Sequence, residues 1–327
     1  MRIHGSTLVA WITRTSPSPF SVPRCPGTAV PRYFDHVTTK CGFVALAGAP
    51  NVGKSTLLNA LVGEPLAIIS PKPQTTREPV RGILCDETTQ IIFVDPAGLL
   101  DPAYPLQKGM LRAALDAIAD ADLVLHLHPL TEFPAPAFDQ LVRGSRVDGS
   151  KVITVYTKAD LVPPSRRPAV PPDALVTSAP ARDGIEALLA TVRSRLPEGP
   201  FLYDSEDVGT QPLRFFAAEF IREAAFAELE QELPYALAVE IEEFREAETP
   251  VYIRATLAVE RESQKPIVLG KGGRTIKAIG TAARIRIAAF IDRKVHLDLW
   301  VTVWPKWRKN PSTLARLGLP LPSESHP

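Results

Sequence analysis

Apolar runs and helical stripes alternate along the first part of the chain. Phe43-Val44-Ala45-Leu46-Ala47 is a continuous apolar run, the mark of a strand covered on both faces. Thr56 to Val62 carries leucines at helical spacing and predicts a helix. Strand-like runs follow at Val80–Cys85 and Gln90–Val94, joined by the polar turn Asp86-Glu87-Thr88-Thr89. A helix is predicted from about Gly109 to Asp120, then strands at Leu123–Leu127, Val152–Tyr156 and Ala174–Ala179. A helix from about Asp183 to Leu196 closes this part. Strands alternating with helices imply an α/β fold with a mainly parallel sheet and helices on both faces.

Pro197-Glu198-Gly199-Pro200 punctuates the chain, and the pattern then changes. Leu213, Phe216, Ala217, Phe220, Ile221, Ala224 and Leu229 mark a long amphipathic helix, which Leu233-Pro234-Tyr235 is expected to stop. Strands are predicted at Ala236–Phe244 and Val251–Val259. Ile267-Val268-Leu269 ends a strand or helix, Gly270-Lys271-Gly272-Gly273-Arg274 follows, and a helix runs to about Ala289. Val295, Leu297, Leu299, Val301 and Val303 then alternate with His296, Asp298, Trp300 and Thr302, a strand with two unlike faces. The expected division is a leader at 1–40, one domain at 41–200, a linker and second domain at 201–309, and a tail at 310–327.

A chain of 327 residues has room for two such domains. It is 45% hydrophobic and 22% charged, as a soluble globular protein is, and no apolar run is long enough for a transmembrane helix. The three cysteines, Cys25, Cys41 and Cys85, lack metal or redox spacing, which points to a reducing compartment and no structural disulfide.

Net charge is +1, but it is unevenly spread. Glu219 to Glu262 holds 4 basic and 12 acidic residues, whereas Lys265 to Asn310 holds 11 basic and 2 acidic. That asymmetry points to a polyanion-binding face near the C-terminus; the alternative is two mutually neutralising surfaces. Residues 1–40 hold five prolines, four arginines and one acid, Asp35. A transit peptide, a disordered extension and read-through from a wrong start all fit. The reading adopted is a dispensable extension of a bacterial cytoplasmic protein, with organellar import as the alternative.

The chemistry centres on Gly48-Ala49-Pro50-Asn51-Val52-Gly53-Lys54-Ser55, set between a strand and the helix that begins near Thr56. Strand, glycine loop and helix make a phosphate cradle: the glycines admit the backbone, and the helix N-terminus adds positive character. Lys54 can reach the β- and γ-phosphates, and Ser55 can offer a hydroxyl to Mg²⁺. Asp95, at a strand end, can hold that ion through water, and the Gly98 N–H can sense the γ-phosphate. In Gln74-Thr75-Thr76-Arg77, Thr76 is the candidate to give both a metal hydroxyl and a phosphate amide.

Thr157-Lys158-Ala159-Asp160 would select the base. The Asp160 carboxylate can accept the N1–H and 2-amino group of guanine, a donor pair that adenine lacks. The Lys158 stem can cover the base, and Ser178-Ala179 can turn a backbone N–H to guanine O6. A P-loop ATPase is disfavoured by Asp160 and Ser178-Ala179.

With these motifs the chain resembles the translation-factor-like GTPases, and more narrowly the Era family, over about residues 41–309. Phe220-Ile221-Arg222-Glu223, Glu232-Leu233-Pro234-Tyr235, Gly270-Lys271-Gly272-Gly273 and Trp307-Arg308 extend the resemblance. It implies a P-loop GTPase domain followed by an α+β type II KH domain. It also implies binding of GTP, GDP and Mg²⁺, and of small-subunit ribosomal RNA near its three-prime end. A role in maturation of the small ribosomal subunit, and peripheral membrane association, come with the family.

Several positions depart from the family pattern. Asp95-Pro96-Ala97-Gly98 stands where Asp-Thr-Pro-Gly is usual, and Pro96 removes an N–H. Thr157 replaces the usual Asn, and its shorter side chain is expected to reach less far toward the phosphate loop. The strand Leu123–Leu127 leads through His126 and His128 instead of apolar residues and an aspartate; a partly buried surface is expected there, not a metal site.

Leu99 follows Gly98 where a Ras-like enzyme has glutamine, so no side-chain base is assigned. Related GTPases use an asparagine at the place of Asn51 to help hold a monovalent cation, and slow, K⁺-stimulated hydrolysis is the expectation. Lys54, Asn51 and Thr76 are the catalytic candidates. For RNA they are Gly270, Lys271, Gly272, Gly273, Arg274 and Lys277, with Trp304, Lys306, Trp307, Arg308 and Lys309 suited to base stacking and Trp304 alternatively read as a cap on the sheet. The rival reading is a non-hydrolysing RNA-binding scaffold.

Overall fold

The computed structural model describes residues 38–142 and 147–321. The leader up to residue 37, Cys25 and the last six residues therefore lie outside the described residues.

Strand β1 (Lys40–Ala47) forms the buried centre of a six-stranded sheet. Around it lie β2 (Val80–Cys85), β3 (Thr89–Asp95), β4 (Leu123–Pro129), β5 (Val152–Thr157) and the two-residue β6 (Leu175–Val176), in the order β2-β3-β1-β4-β5-β6. Only β2 is antiparallel, because the short turn Asp86-Glu87-Thr88 to β3 allows a hairpin and no crossover. Helices α1 (Lys54–Val62), α2 (Pro105–Asp120), α3 (Phe138–Val142) and α4 (Ile185–Arg195) complete this part. Val44, Leu46, Leu58, Ile92, Phe93, Leu125 and Val155 are buried, as a sheet covered on both sides requires.

Helix α2 begins four residues earlier than its sequence pattern indicates. Pro105 takes the first helical position, where a missing N–H costs nothing, so the proline starts the helix instead of breaking it. The segment after the Pro197-to-Pro200 punctuation also stays on this sheet. Ile83 N–H donates to Val208 O at 3.0 Å, and Gln90 Nε2 to Tyr203 O at 2.9 Å.

The second part contains α5 (Leu213–Glu228), α6 (Leu233–Ala236), β7 (Ala238–Arg245), β8 (Val251–Val259), α7 (Lys265–Leu269), α8 (Arg274–Ile291) and β9 (Val295–Val303). Its sheet has the order β7-β8-β9, with β7/β8 antiparallel and β8/β9 parallel. The α7–α8 crossover is what lets β9 run parallel to β8. Phe216, Phe220, Ile279, Ala283 and Ile287 bury the helical faces of α5 and α8 against each other and the sheet. Leu233-Pro234-Tyr235 forms the short helix α6, with Pro234 in its first turn.

Within the expected tail the described residues, up to 321, include a helix. Residues 311–316 form α9 (Pro311–Arg316), capped by the Asn310 side chain, and Leu314 is fully buried. The chain then crosses α2 so closely that a Cβ on Gly109 would lie 2.1 Å from Pro320 O.

Candidate guanine nucleotide and RNA sites

The loop after β1 wraps around Lys54. A Cβ on Gly48 would lie 2.6 Å from Leu127 O, and Gly53 takes φ +99°, so both positions demand glycine. Lys54 Nζ donates to Ala49 O at 3.0 Å and Gly48 O at 3.4 Å, from a buried position inside the loop. Burial lowers the Lys54 pKa, and nearby Asp95 opposes that shift.

Ser55, Thr76 and Asp95 come together from three separate segments. Asp95 Oδ2 accepts from Ser55 Oγ at 2.6 Å and from Thr76 Oγ1 at 3.3 Å; the two hydroxyls are 3.2 Å apart. Asp95 is fully buried, and its Oδ1 has no hydrogen-bond partner among the described residues. Burial raises its pKa, against the pull of Lys54, Ser55 and Thr76. A buried carboxylate with one open oxygen, beside two hydroxyls, suits a hard cation such as Mg²⁺.

A cavity of about 360 Å³ opens over this cluster, lined by Pro50, Asn51, Gly53, Thr56, Gly98 and Lys158 among others. Gly98 lies against the phosphate loop: a Cβ there would meet Pro50 N at 2.7 Å. The following N–H, of Leu99, donates to Gly48 O at 3.0 Å. Asn51, at φ 63°, turns its amide toward the segment that leads to Thr76 and donates to Pro71 O at 3.0 Å.

A second cavity, of about 190 Å³, shares Gly53, Thr56 and Lys158 with the first and is lined by Thr157, Asp160 and Ala179. Lys158 takes φ 57°, an uncommon conformation for a side-chain-bearing residue and one that recurs at binding loops. Asp160 Oδ1 accepts from Ser178 Oγ at 2.6 Å. The Ser178 N–H is already given to Asp183 O at 2.9 Å, which narrows the Ser178-Ala179 pair to Ala179 as the backbone donor for a base.

Thr157 corrects the expectation of short reach. Its hydroxyl donates to Val52 O at 2.6 Å, because β5 ends close enough to the phosphate loop for a short side chain to span the gap. His126 is buried against Phe138, and burial with nearby His128 lowers its pKa to about 4. His128 contacts Glu132 O at 2.8 Å.

The family described as "50S ribosome-binding GTPase" matches residues 43–158, and the family described as "KH domain" matches residues 232–308. GTPase Era of Bradyrhizobium diazoefficiens is 41% identical over 297 residues, covering 88% of this chain and 96% of that protein. GTPase Era of Thermotoga maritima is 40% identical over 284 residues, covering 84% and 95%. The chain belongs to the Era family of GTPases. Two solved Era structures superpose with a TM-score of 0.80 at 34% identity, covering 86% of this chain and all of theirs. One is an Aquifex aeolicus Era variant bound to GDP and aluminium fluoride; the other is Era with MgGDPNP and nucleotides 1506–1542 of 16S ribosomal RNA.

In this Era-family chain the Gly270–Gly273 loop joins α7 to α8. Gly270 has φ +71°, and a Cβ there would lie 2.2 Å from Thr275 Oγ1. Gly272 and Gly273 take φ +63° and +77° but face open space, as a loop that admits another backbone would. Lys271, Arg274 and Lys277 are exposed around it, and Arg274 Nε donates to Lys271 O at 3.3 Å. Ile267, 54% exposed, supplies an apolar neighbour.

The stacking alternative for the C-terminal aromatics fails at Trp307. Its side chain is fully buried, its indole donates to Ala236 O at 2.8 Å, and the Arg77 guanidinium lies 5.3 Å from its ring. Arg316 lies 4.2 Å from the Trp304 ring centroid, and Arg308 pairs with Glu260. Lys306 and Lys309 stay exposed. Sequence reasoning gave no role to Arg77, Lys72 or Arg222, which tie the two parts of the chain together. No local pattern marks an arginine whose partner carbonyl lies about 150 residues away, as Arg222 and Thr75 do.

Proposed function

We propose that the chain is a GTP-hydrolysing switch whose nucleotide state governs binding of small-subunit ribosomal RNA near its three-prime end, in service of maturation of that subunit. The observation that carries this reading is the convergence of Ser55, Thr76 and Asp95 beneath the phosphate loop, with one Asp95 oxygen open. The Era structure described with MgGDPNP and a 16S RNA fragment supports the choice of nucleotide, metal and RNA.

In this reading residues 48–56 cradle the phosphates, and Lys54 leaves its loop carbonyls to meet the β- and γ-oxygens. Ser55 and Thr76 would ligate Mg²⁺, with Asp95 behind them, and the ion when bound neutralises charge on the transferring phosphoryl group. The amides of Thr76 and Gly98 would report the γ-phosphate. Thr157, Lys158, Asp160 and Ala179 would hold guanine, with Ser178 orienting Asp160. Water attack proceeds without a side-chain base. Asn51, already bridging to Pro71, is the residue through which K⁺ would act; equal activity in Na⁺ and K⁺ would remove that part. The Gly270–Gly273 loop, with Lys271, Arg274 and Lys277, would take the RNA backbone.

The test is GTP and ATP turnover by the purified full chain, with and without a short single-stranded RNA from the end of small-subunit ribosomal RNA. GTP-selective turnover that Lys54→Ala abolishes, with salt-sensitive RNA binding, is the expected result. GTP binding without turnover would favour the scaffold.

A further inference from the structure

The segment that carries Thr76 is gripped from the C-terminal part of the chain. Lys72 Nζ donates to the carbonyls of Phe226 and Leu229 at the end of α5. Arg77 is buried and donates to Leu237 O at 2.8 Å and Tyr235 O at 3.2 Å. Between them, Arg222 Nη2 on α5 donates to the carbonyl of Thr75.

Arg222 is oriented from its own helix and not by the segment it holds. Glu219, one turn earlier, accepts from Arg222 Nε at 2.9 Å and also pairs with Nη2. The guanidinium carbon lies 5.5 Å from the Phe226 ring centroid, and the side chain is 3% exposed. A guanidinium held by a carboxylate and an aromatic ring of its own helix is a rigid donor.

The carbonyl it holds is not an arbitrary one. The Thr75 C=O and the Thr76 N–H belong to one planar peptide unit and point in opposite directions. Fixing the first fixes the second. The same unit carries the Thr76 hydroxyl to within 3.3 Å of Asp95 Oδ2.

We infer that Arg222 is a positioning residue for GTP hydrolysis: from the first helix of the RNA-binding part it orients the Thr75–Thr76 peptide, so that Thr76 meets the metal and the γ-phosphate. This rests on the role of Thr76 given above. The GTPase site is then incomplete without α5, and the C-terminal part contributes to turnover in cis.

The experiment is a double-mutant cycle in the full chain, Arg222→Ala with Thr76→Ala, read as kcat and KM for GTP and as GDP affinity. Arg222→Ala alone is expected to lower kcat about tenfold, the size of one charge-assisted hydrogen bond. GDP affinity should stay within about twofold, since GDP has no γ-phosphate for the oriented amide to meet. In the Thr76→Ala background, which loses the hydroxyl but keeps the oriented amide, Arg222→Ala should add a smaller loss than it causes in the parent chain. Losses that multiply, or an equal weakening of GDP, would mean a merely structural arginine and overturn the proposal. A kcat lowered by Thr76→Ala but untouched by Arg222→Ala overturns it as well and leaves the Thr76 reading standing. An unchanged kcat in Thr76→Ala would sink both. If Arg222→Ala does not fold, Glu219→Gln keeps the guanidinium but releases it; a smaller kcat loss, reduced again in the Thr76→Ala background, is expected, and an unchanged kcat overturns the proposal.

Discussion

The Thr157 hydroxyl donates to the Val52 carbonyl at 2.6 Å, and this bond joins the base-reading loop to the phosphate loop. Both residues are buried, so water cannot easily replace either partner. Thr157→Val keeps the shape and removes only the donor. It should cost about 1–3 kcal/mol by leaving the Val52 carbonyl unpaired. The expected readout is weaker GDP binding by calorimetry, together with a lower Tm.

Asp95 is buried at a cost that its neighbours do not fully offset. Its carboxylate is fully buried, one oxygen has no hydrogen-bond partner among the described residues, and burial pushes its pKa up. Asp95→Asn removes the buried charge and is expected to leave the Tm of the nucleotide-free chain unchanged or higher. GTP turnover should fall by about two orders of magnitude, the usual scale for loss of one electrostatic element of such a site. Scanning fluorimetry and phosphate release check the two halves. A Tm drop of many degrees would count against the account.

The glycine loop of the KH part separates fold from binding. Gly270→Ala puts a Cβ 2.2 Å from Thr275 Oγ1 in a left-handed conformation and should destabilise the start of α8. Lys271→Ala touches only exposed surface and should leave the Tm alone. It should weaken RNA binding and reduce the slope of log affinity against log salt by about 1. Filter binding at several salt concentrations, beside thermal melts, distinguishes them.

Glu78 makes stability depend on pH in a defined window. Burial, and then the charge of Glu219, raise its pKa from 4.5 to about 7, against the pull of Arg222. Between those values the unfolded chain gives up its proton while the folded chain keeps it. Stability from this group therefore falls as pH rises through the window, and the loss is complete above about 7. Glu78→Gln should raise the Tm at pH 8 and change it little near pH 4.5, where the parent side chain is neutral in the folded state. A Tm difference independent of pH would contradict this.

Some of this was legible without coordinates because it depends on near neighbours in the chain. The apolar run at 43–47, the glycine spacing that follows and the leucines of α1 sit within about twenty residues, so strand, loop and helix announce themselves together. The Gly270–Gly273 turn was visible for the same reason. The first turn of α2 lay outside the helical pattern, and only the backbone shows that Pro105 takes the first position, where its missing N–H costs nothing. The tail misled because a six-residue helix carries too little periodicity to stand out.

By itself, then, the sequence determined the order of the elements, the phosphate loop and the candidate base motif, since local sterics and hydrophobic spacing set these. Only the tertiary structure decided what lies across a gap. The reach of Thr157 to Val52, the diversion of the Ser178 N–H to Asp183, the burial of Trp307 under Arg77 and the grip of Arg222 on Thr75 are of this kind. Each depends on how two distant segments pack, and hydrogen bonds are too short-ranged for chain order alone to specify their partners.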